Sequence, residues 1–255
     1  MKLNYKEIGE GKQVLIIIHG LFGSLDNWLT LAKGFAQTHR VFLIDQRNHG
    51  KSPHSESFTY QDMSNDLKEF ISEHKLGKPS ILGHSMGGKT AMLFASLDPQ
   101  LVDKLIIVDI GPKYYPPHHK SIIAALTSLD LVNLKSRGEA DKKMAELISE
   151  FGIRQFLLKN LTRNEKKEFE WKINLPVIIK NIENVGEGLN SKLIHNGSTQ
   201  FIRGDRSDYI LDEDVDVIQQ QFPNSQLVTI QGAGHWVHAE QPEALYNTIK
   251  NFLSE

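Results

Sequence analysis

Short runs of branched apolar residues recur through the first half of the chain, at residues 14–18, 41–44, 81–82 and 105–110. A run without polar alternation has to be covered on both faces, as the strands of a parallel sheet are. Between the runs the apolar spacing becomes helical. In QDMSNDLKEFISEHKLG, Met63, Leu67, Phe70 and Ile71 fall on one helical face, and Gly77 with Pro79 stops the helix. A second helix is predicted from Met86 to just before Asp98-Pro99. Strand and helix in alternation predict an α/β fold with a mostly parallel sheet.

The pattern breaks after Gly111-Pro112, at KYYPPHHK. Residues 121–161 read as helical throughout, with lysines and glutamates on the outer faces and no run resembling a strand. Strand patterns return at 200–203 and 226–230, and a last helix is predicted over 242–253. The expected organisation is a core of residues 1–111 and 193–255, with residues 112–192 inserted as a cap over one end of the sheet.

Composition narrows the chemistry. The 255 residues include no cysteine, which removes disulfides, thiolate metal sites and a cysteine nucleophile. A net charge of −2 argues against a general nucleic-acid binder. The segment MKLNYKEIGEGK lacks the apolar stretch of a signal peptide, and residues 14–18 are too few to cross a bilayer. The expectation is a cytoplasmic protein, monomer or homodimer, with a small-molecule partner and no membrane span.

The stretch ILGHSMGGKT sets Ser85 between Gly83 and Gly87, where a predicted strand meets a predicted helix. A nucleophile on so tight a turn needs glycines two residues before and after it, where side chains would collide. The helix starting at Met86 aims its free amides at the same point. A serine also needs a base. His235, in IQGAGHWVHAEQPEALYNTI, lies on a glycine-bearing loop between a strand and the last helix. That loop opens at the carboxyl edge of the sheet, as the Ser85 turn does. IIIHGLFGSLDNW provides a second strand end, so the backbone amides of Leu21 and Met86 are candidate oxyanion donors.

HGLFGSLDNW, DQRNHGKSP, GHSMGG, VDIGP and GAGHWVHAEQPE together resemble the α/β-hydrolase superfamily, and among its members the small bacterial esterases of the YbfF type. The resemblance implies an eight-stranded, mostly parallel sheet with a helical cap after the sixth strand. It also implies a triad of nucleophile, acid and histidine. Ser85 and His235 match the family positions, as do Leu21 and Met86. The acid departs from the common Gly-x-x-Asp pattern, because the slot three after Gly204 holds Ser207. Asp205 and Asp208 flank that slot, and Asp109 ends the preceding strand. Adjacent strands lie about 4.8 Å apart, so a carboxylate from either could reach His235. The YbfF-type resemblance favours Asp109.

The expected activity is hydrolysis of a carboxylic ester, or of a thioester such as an acyl-CoA, through an acyl-enzyme on a small or medium-chain acyl substrate. It requires no metal or organic cofactor. A carbon–carbon-bond hydrolase of the same fold and a low-turnover ligand-binding receptor are the alternatives. Among the remaining residues, His19 reads as shaping a loop. Asp45, Arg47 and His49 read as a carboxylate–guanidinium brace beside the site. His118 and His119 are expected to be exposed, and His238 to be a hydrogen-bonded structural residue. Tyr114, Tyr115, Phe151, Phe156, Leu157 and Trp171 are expected mostly as the cap's own core, and Lys142, Lys143 and Lys159 as a solvated face.

Overall fold

The computed structural model describes residues 1–255. Its main sheet has seven strands: β1 (Tyr5–Ile8), β2 (Gln13–Ile18), β3 (His39–Ile44), β4 (Ser80–His84), β5 (Lys104–Val108) and, after the hairpin strands β6 (Leu161–Arg163) and β7 (Phe169–Trp171), β8 (Ser198–Gly204) and β9 (Ser225–Ile230). The order is β1-β3-β2-β4-β5-β8-β9, with every pairing parallel except β1 with β3. The eight strands implied by family resemblance are therefore seven here. Only one short strand precedes β2, and the turn at Gly9 (φ 81°) follows it directly.

Alternate residues of each strand serve opposite layers, as the two-residue strand repeat requires. On one face Ile16, Ile18, Phe42, Ile81 and Ile107 pack under α2 (Tyr60–Glu73) and α3 (Met86–Leu97), the latter through Ala91, Phe94 and Ala95. On the other, Leu15, Ile17, Val41, Leu43, Leu82 and Ile106 meet α1 (Leu29–Phe35) and the carboxyl-terminal helix, through Leu245, Ile249 and Phe252. Helix α2 begins at Thr59, whose hydroxyl accepts from the Asp62 amide. Such a cap contributes about 1 kcal/mol.

Between β5 and β8 the segment expected as a cap contains α4 (Lys120–Thr127), α5 (Arg137–Met144), α6 (Phe151–Leu158), the β6–β7 hairpin, α7 (Leu175–Lys180) and α8 (Ile182–Gly186). The expectation of unbroken helix to residue 161 is corrected. Loops separate three short helices, and the antiparallel hairpin follows them, pairing Leu161 with Trp171. A third apolar cluster joins Ala125, Met144, Leu157 and Ile178 of the cap to Leu21, Phe22 and Met86 of the core. Helices α9 (Val215–Gln221), α10 (Val237–Glu240) and α11 (Pro242–Ser254) complete the fold. No helix is long and apolar enough to cross a membrane.

Candidate active site

The carboxyl ends of β2, β4, β5 and β9 lead into the loops bearing Leu21, Ser85, Asp109 and His235, one at each strand end. Ser85 stands between β4 and α3 with φ 52° and ψ −120°, a left-handed conformation that costs a non-glycine residue energy. The neighbouring glycines make the turn possible. A Cβ on Gly83 would lie 2.3 Å from the Gly87 carbonyl oxygen, and one on Gly87 would lie 2.5 Å from the oxygens of Ile18 and His19.

His235 Nε2 lies 3.0 Å from Ser85 Oγ, and His235 Nδ1 lies 2.8 Å from Asp109 Oδ2. The carboxylate accepts, so Nδ1 carries the proton and Nε2 is left to accept from the serine hydroxyl. Asp109 is fully buried and also adopts a left-handed backbone (φ 53°). The Gly204 amide donates to its Oδ1 over 3.1 Å, and the Ser207 hydroxyl donates to its Oδ2. The two flanking aspartates are not on the histidine. Asp205 is exposed and accepts from the Gly232 and Ala233 amides, bracing the loop that carries His235. Asp208 is exposed and lines the outer opening beside His118 and Arg206.

The two residues expected as amide donors, Leu21 and Met86, both lie beside Ser85. Gly23 donates to the Gly20 carbonyl and Phe22 donates to His49 Nε2, which leaves the Leu21 amide without a protein acceptor. Met86 is the first residue of α3, where amides have no partner within the helix. Both residues line one narrow cavity with Ser85, Tyr60, Ile110 and Tyr115. His19 holds this loop, donating from Nδ1 to Gly20 and accepting the Gln46 amide at Nε2.

Several secondary expectations are corrected. Arg47 pairs with Asp66, at 2.7 and 2.9 Å, rather than with Asp45, because α2 brings Asp66 under the guanidinium. Asp45 instead accepts from the amides of Leu25 and Lys51 and from Asn4. His119 is half-buried rather than exposed. It lines the Ser85 cavity with His118, its Nδ1 has no partner, and burial pulls it down to about 4. His238 is buried, but its Nδ1 lacks a hydrogen bond. It stacks on Trp28 at 4.7 Å, and burial depresses it to about 3. Of the apolar residues expected in the cap core, Tyr115 lines the cavity, Leu157 belongs to the cap cluster, Trp171 packs against it, and Tyr114 and Phe151 are exposed. Phe156 packs against that cluster and lines a groove with Lys159 and Trp236. No three His, Asp or Glu side chains converge as metal ligands.

Three residues were not legible from spacing. His84 Nε2 donates to the His235 carbonyl over 2.9 Å. Tyr209 lays its ring on the His235 imidazole, with centroids 3.7 Å apart and planes 13° apart. Lys89, fully buried on α3, donates to the carbonyls of Lys113, Gly186 and Glu187, which bracket the cap. Burial brings its ammonium down to about 7. A lysine one turn after Ser85, amid small and apolar residues, was the only available signal for it.

The chain belongs to the α/β-hydrolase family. An alpha/beta hydrolase fold profile matches residues 13–134. Escherichia coli esterase YbfF is 34% identical over 260 aligned residues covering all of both chains. The sn-1-specific diacylglycerol lipase ABHD11 of Mus musculus is 36% identical over 248 residues, 94% of this chain and 80% of that one. Among solved structures, a marine microorganism esterase superposes with a TM-score of 0.96 at 43% identity, covering 98% of this chain and 99% of that one.

Proposed function

We propose that this chain is a serine carboxylic-ester hydrolase acting through an acyl-enzyme. The observation that carries the reading is the unbroken relay from Ser85 Oγ to His235 Nε2 and from Nδ1 to the buried Asp109 carboxylate. His235 takes the Ser85 proton as the oxygen attacks the ester carbonyl. The resulting oxyanion sits against the amides of Leu21 and Met86, each such donor being worth about 2.7–4 kcal/mol of barrier. Imidazolium then protonates the leaving alcohol, and the same histidine activates the water that releases the acid. Asp109 fixes the tautomer and stabilises the imidazolium.

Similarity to proteins named as an esterase and a diacylglycerol lipase supports an ester substrate. An acyl thioester would pass through the same steps, with a thiol leaving. The apolar lining beside Ser85, which includes Leu21, Ile110 and Val185, favours an acyl group there. A chain-length series of p-nitrophenyl esters and acyl-CoA thioesters, run against Ser85→Ala, tests this. Ester turnover should fall by about 10⁶ in the variant. Equal turnover in both proteins would reject the reading.

A further inference from the structure

The face of the His235 imidazole turned from the core is covered by one side chain. Tyr209 stacks on it at 3.7 Å, far closer than the other aromatic neighbours, His84 at 4.9 Å and Trp236 at 5.7 Å. Tyr209 is itself pinned. Its amide donates to Ser207 Oγ, the hydroxyl that binds Asp109. Its carbonyl accepts from the Tyr115 hydroxyl over 2.5 Å. Its other face meets the Tyr115 ring, with centroids 5.3 Å apart and planes 29° apart. The Lys89 ammonium lies 4.8 Å from the centre of that Tyr115 ring. Nδ1 of His118 points at the Pro116 carbonyl and so bears the proton, which leaves Nε2 to accept from the Tyr209 hydroxyl. A phenol that donates keeps its ring electron-rich.

We infer that Tyr209 is a positioning residue for the reaction, an aromatic platform that holds the His235 ring and stabilises its imidazolium form. The inference rests on the proposed role of His235 as base. A positive charge forms on His235 when Ser85 gives up its proton and leaves when the alcohol is protonated. An aromatic face therefore stabilises the charged stage more than the neutral one, provided the cation lies over the ring. The partly desolvated setting strengthens that attraction, and the pinned ring is in place before the charge forms.

Ionisable and polar groups face His235 from several sides. Asp109 faces Nδ1 and Ser85 faces Nε2. His84, His119 and His238 are all held by burial below the ordinary histidine value, the first well below it and the others at about 4 and 3. They stay neutral while His235 is followed above pH 5. His118 lies beyond Tyr209, and Arg206 and Asp208 line the outer opening.

The test replaces Tyr209 by phenylalanine, by leucine, and by phenylalanines bearing increasing numbers of ring fluorines. Fluorine weakens the ring's negative face with little change of shape, so the series remains informative even if leucine fails to fold. Tyr209→Phe should stay within about threefold of wild type in kcat/KM. Tyr209→Leu should lose about tenfold, and the acid limb of its kcat/KM profile should move down by about half to one pH unit. The sign follows because a less stabilised imidazolium gives up its proton at lower pH. Each added fluorine should move both quantities the same way. A flat fluorine series, or equal losses in Tyr209→Phe and Tyr209→Leu, would overturn the platform. Loss of the difference between wild type and Ser85→Ala would instead overturn the proposed function, so the two failures are distinguishable.

Discussion

The cleft beside Ser85 has a sheet side and a side formed by the segment between β5 and β8, the expected cap, and they are held differently. On the sheet side, Ser85 and Asp109 both have a positive φ, 52° and 53°, at the ends of adjacent strands. Each amide is bound to the next strand over, Ser85 to Val108 at 3.0 Å and Asp109 to Ile202 at 2.8 Å. Parallel pairing therefore over-determines both turns and sustains their strain. On the cap side, two chain segments run side by side, joined by the Tyr115 amide to Gly186 and the Leu189 amide to Pro112. Lys89 ties three of their carbonyls to α3 through one titratable ammonium. The sheet fixes Ser85 and Asp109 through backbone geometry, and the cap is fastened by one buried amine whose charged form burial disfavours.

The sharpest way to break this contrast is at the carboxylate. Asp109→Asn should lower kcat by about 10⁴, because the amide can no longer hold His235 in the required tautomer. Asp208→Asn should leave kcat close to wild type, since that side chain is exposed at the outer opening. The reverse pattern would move the acid off the β5 turn.

The cap side should respond in stability more than in chemistry. Lys89→Met leaves three carbonyls without their donor and should cost about 1–3 kcal/mol in denaturant unfolding. Because burial lowers the folded value to about 7 from 10.5, the unfolded chain binds more protons between those limits. The lysine's contribution therefore makes wild-type stability rise with pH from about 7 to 10.5, and Lys89→Met should flatten that rise. An unchanged slope in the variant would show that burial does not lower the Lys89 ammonium, and unchanged stability would show that Lys89 does not fasten the cap.

What could be read in advance divides along the same line. Ser85 and its glycines were legible because the constraint is local, a backbone approach that any Cβ at 83 or 87 would block. His235 was legible from its loop between the last strand and the last helix. Asp109 stood open against Asp205 and Asp208. Strand order decides which carboxylate reaches the histidine, and the pairing of β5 with β8 brings Asp109, Gly204 and Ser207 together. Edge strand β1 escaped notice because Tyr5, Lys6 and Glu7 are exposed and carry no apolar alternation. The β6–β7 hairpin was hidden by its three-residue strands. Tyr209 and Lys89 depend on contacts about a hundred residues away in the chain, such as the Tyr115 hydroxyl on Tyr209 and the Lys89 ammonium on Gly186. No local pattern encodes those contacts.

The central claim is that one hydroxyl, Ser85 Oγ, is the nucleophile. Treating active protein with a serine-directed organophosphonate and mapping the adduct by mass spectrometry tests it most directly. The account predicts a single label on Ser85, appearing in step with loss of esterase activity and absent from Ser85→Ala. A label on another residue that tracks the loss, or full inhibition with Ser85 unmodified, would contradict it.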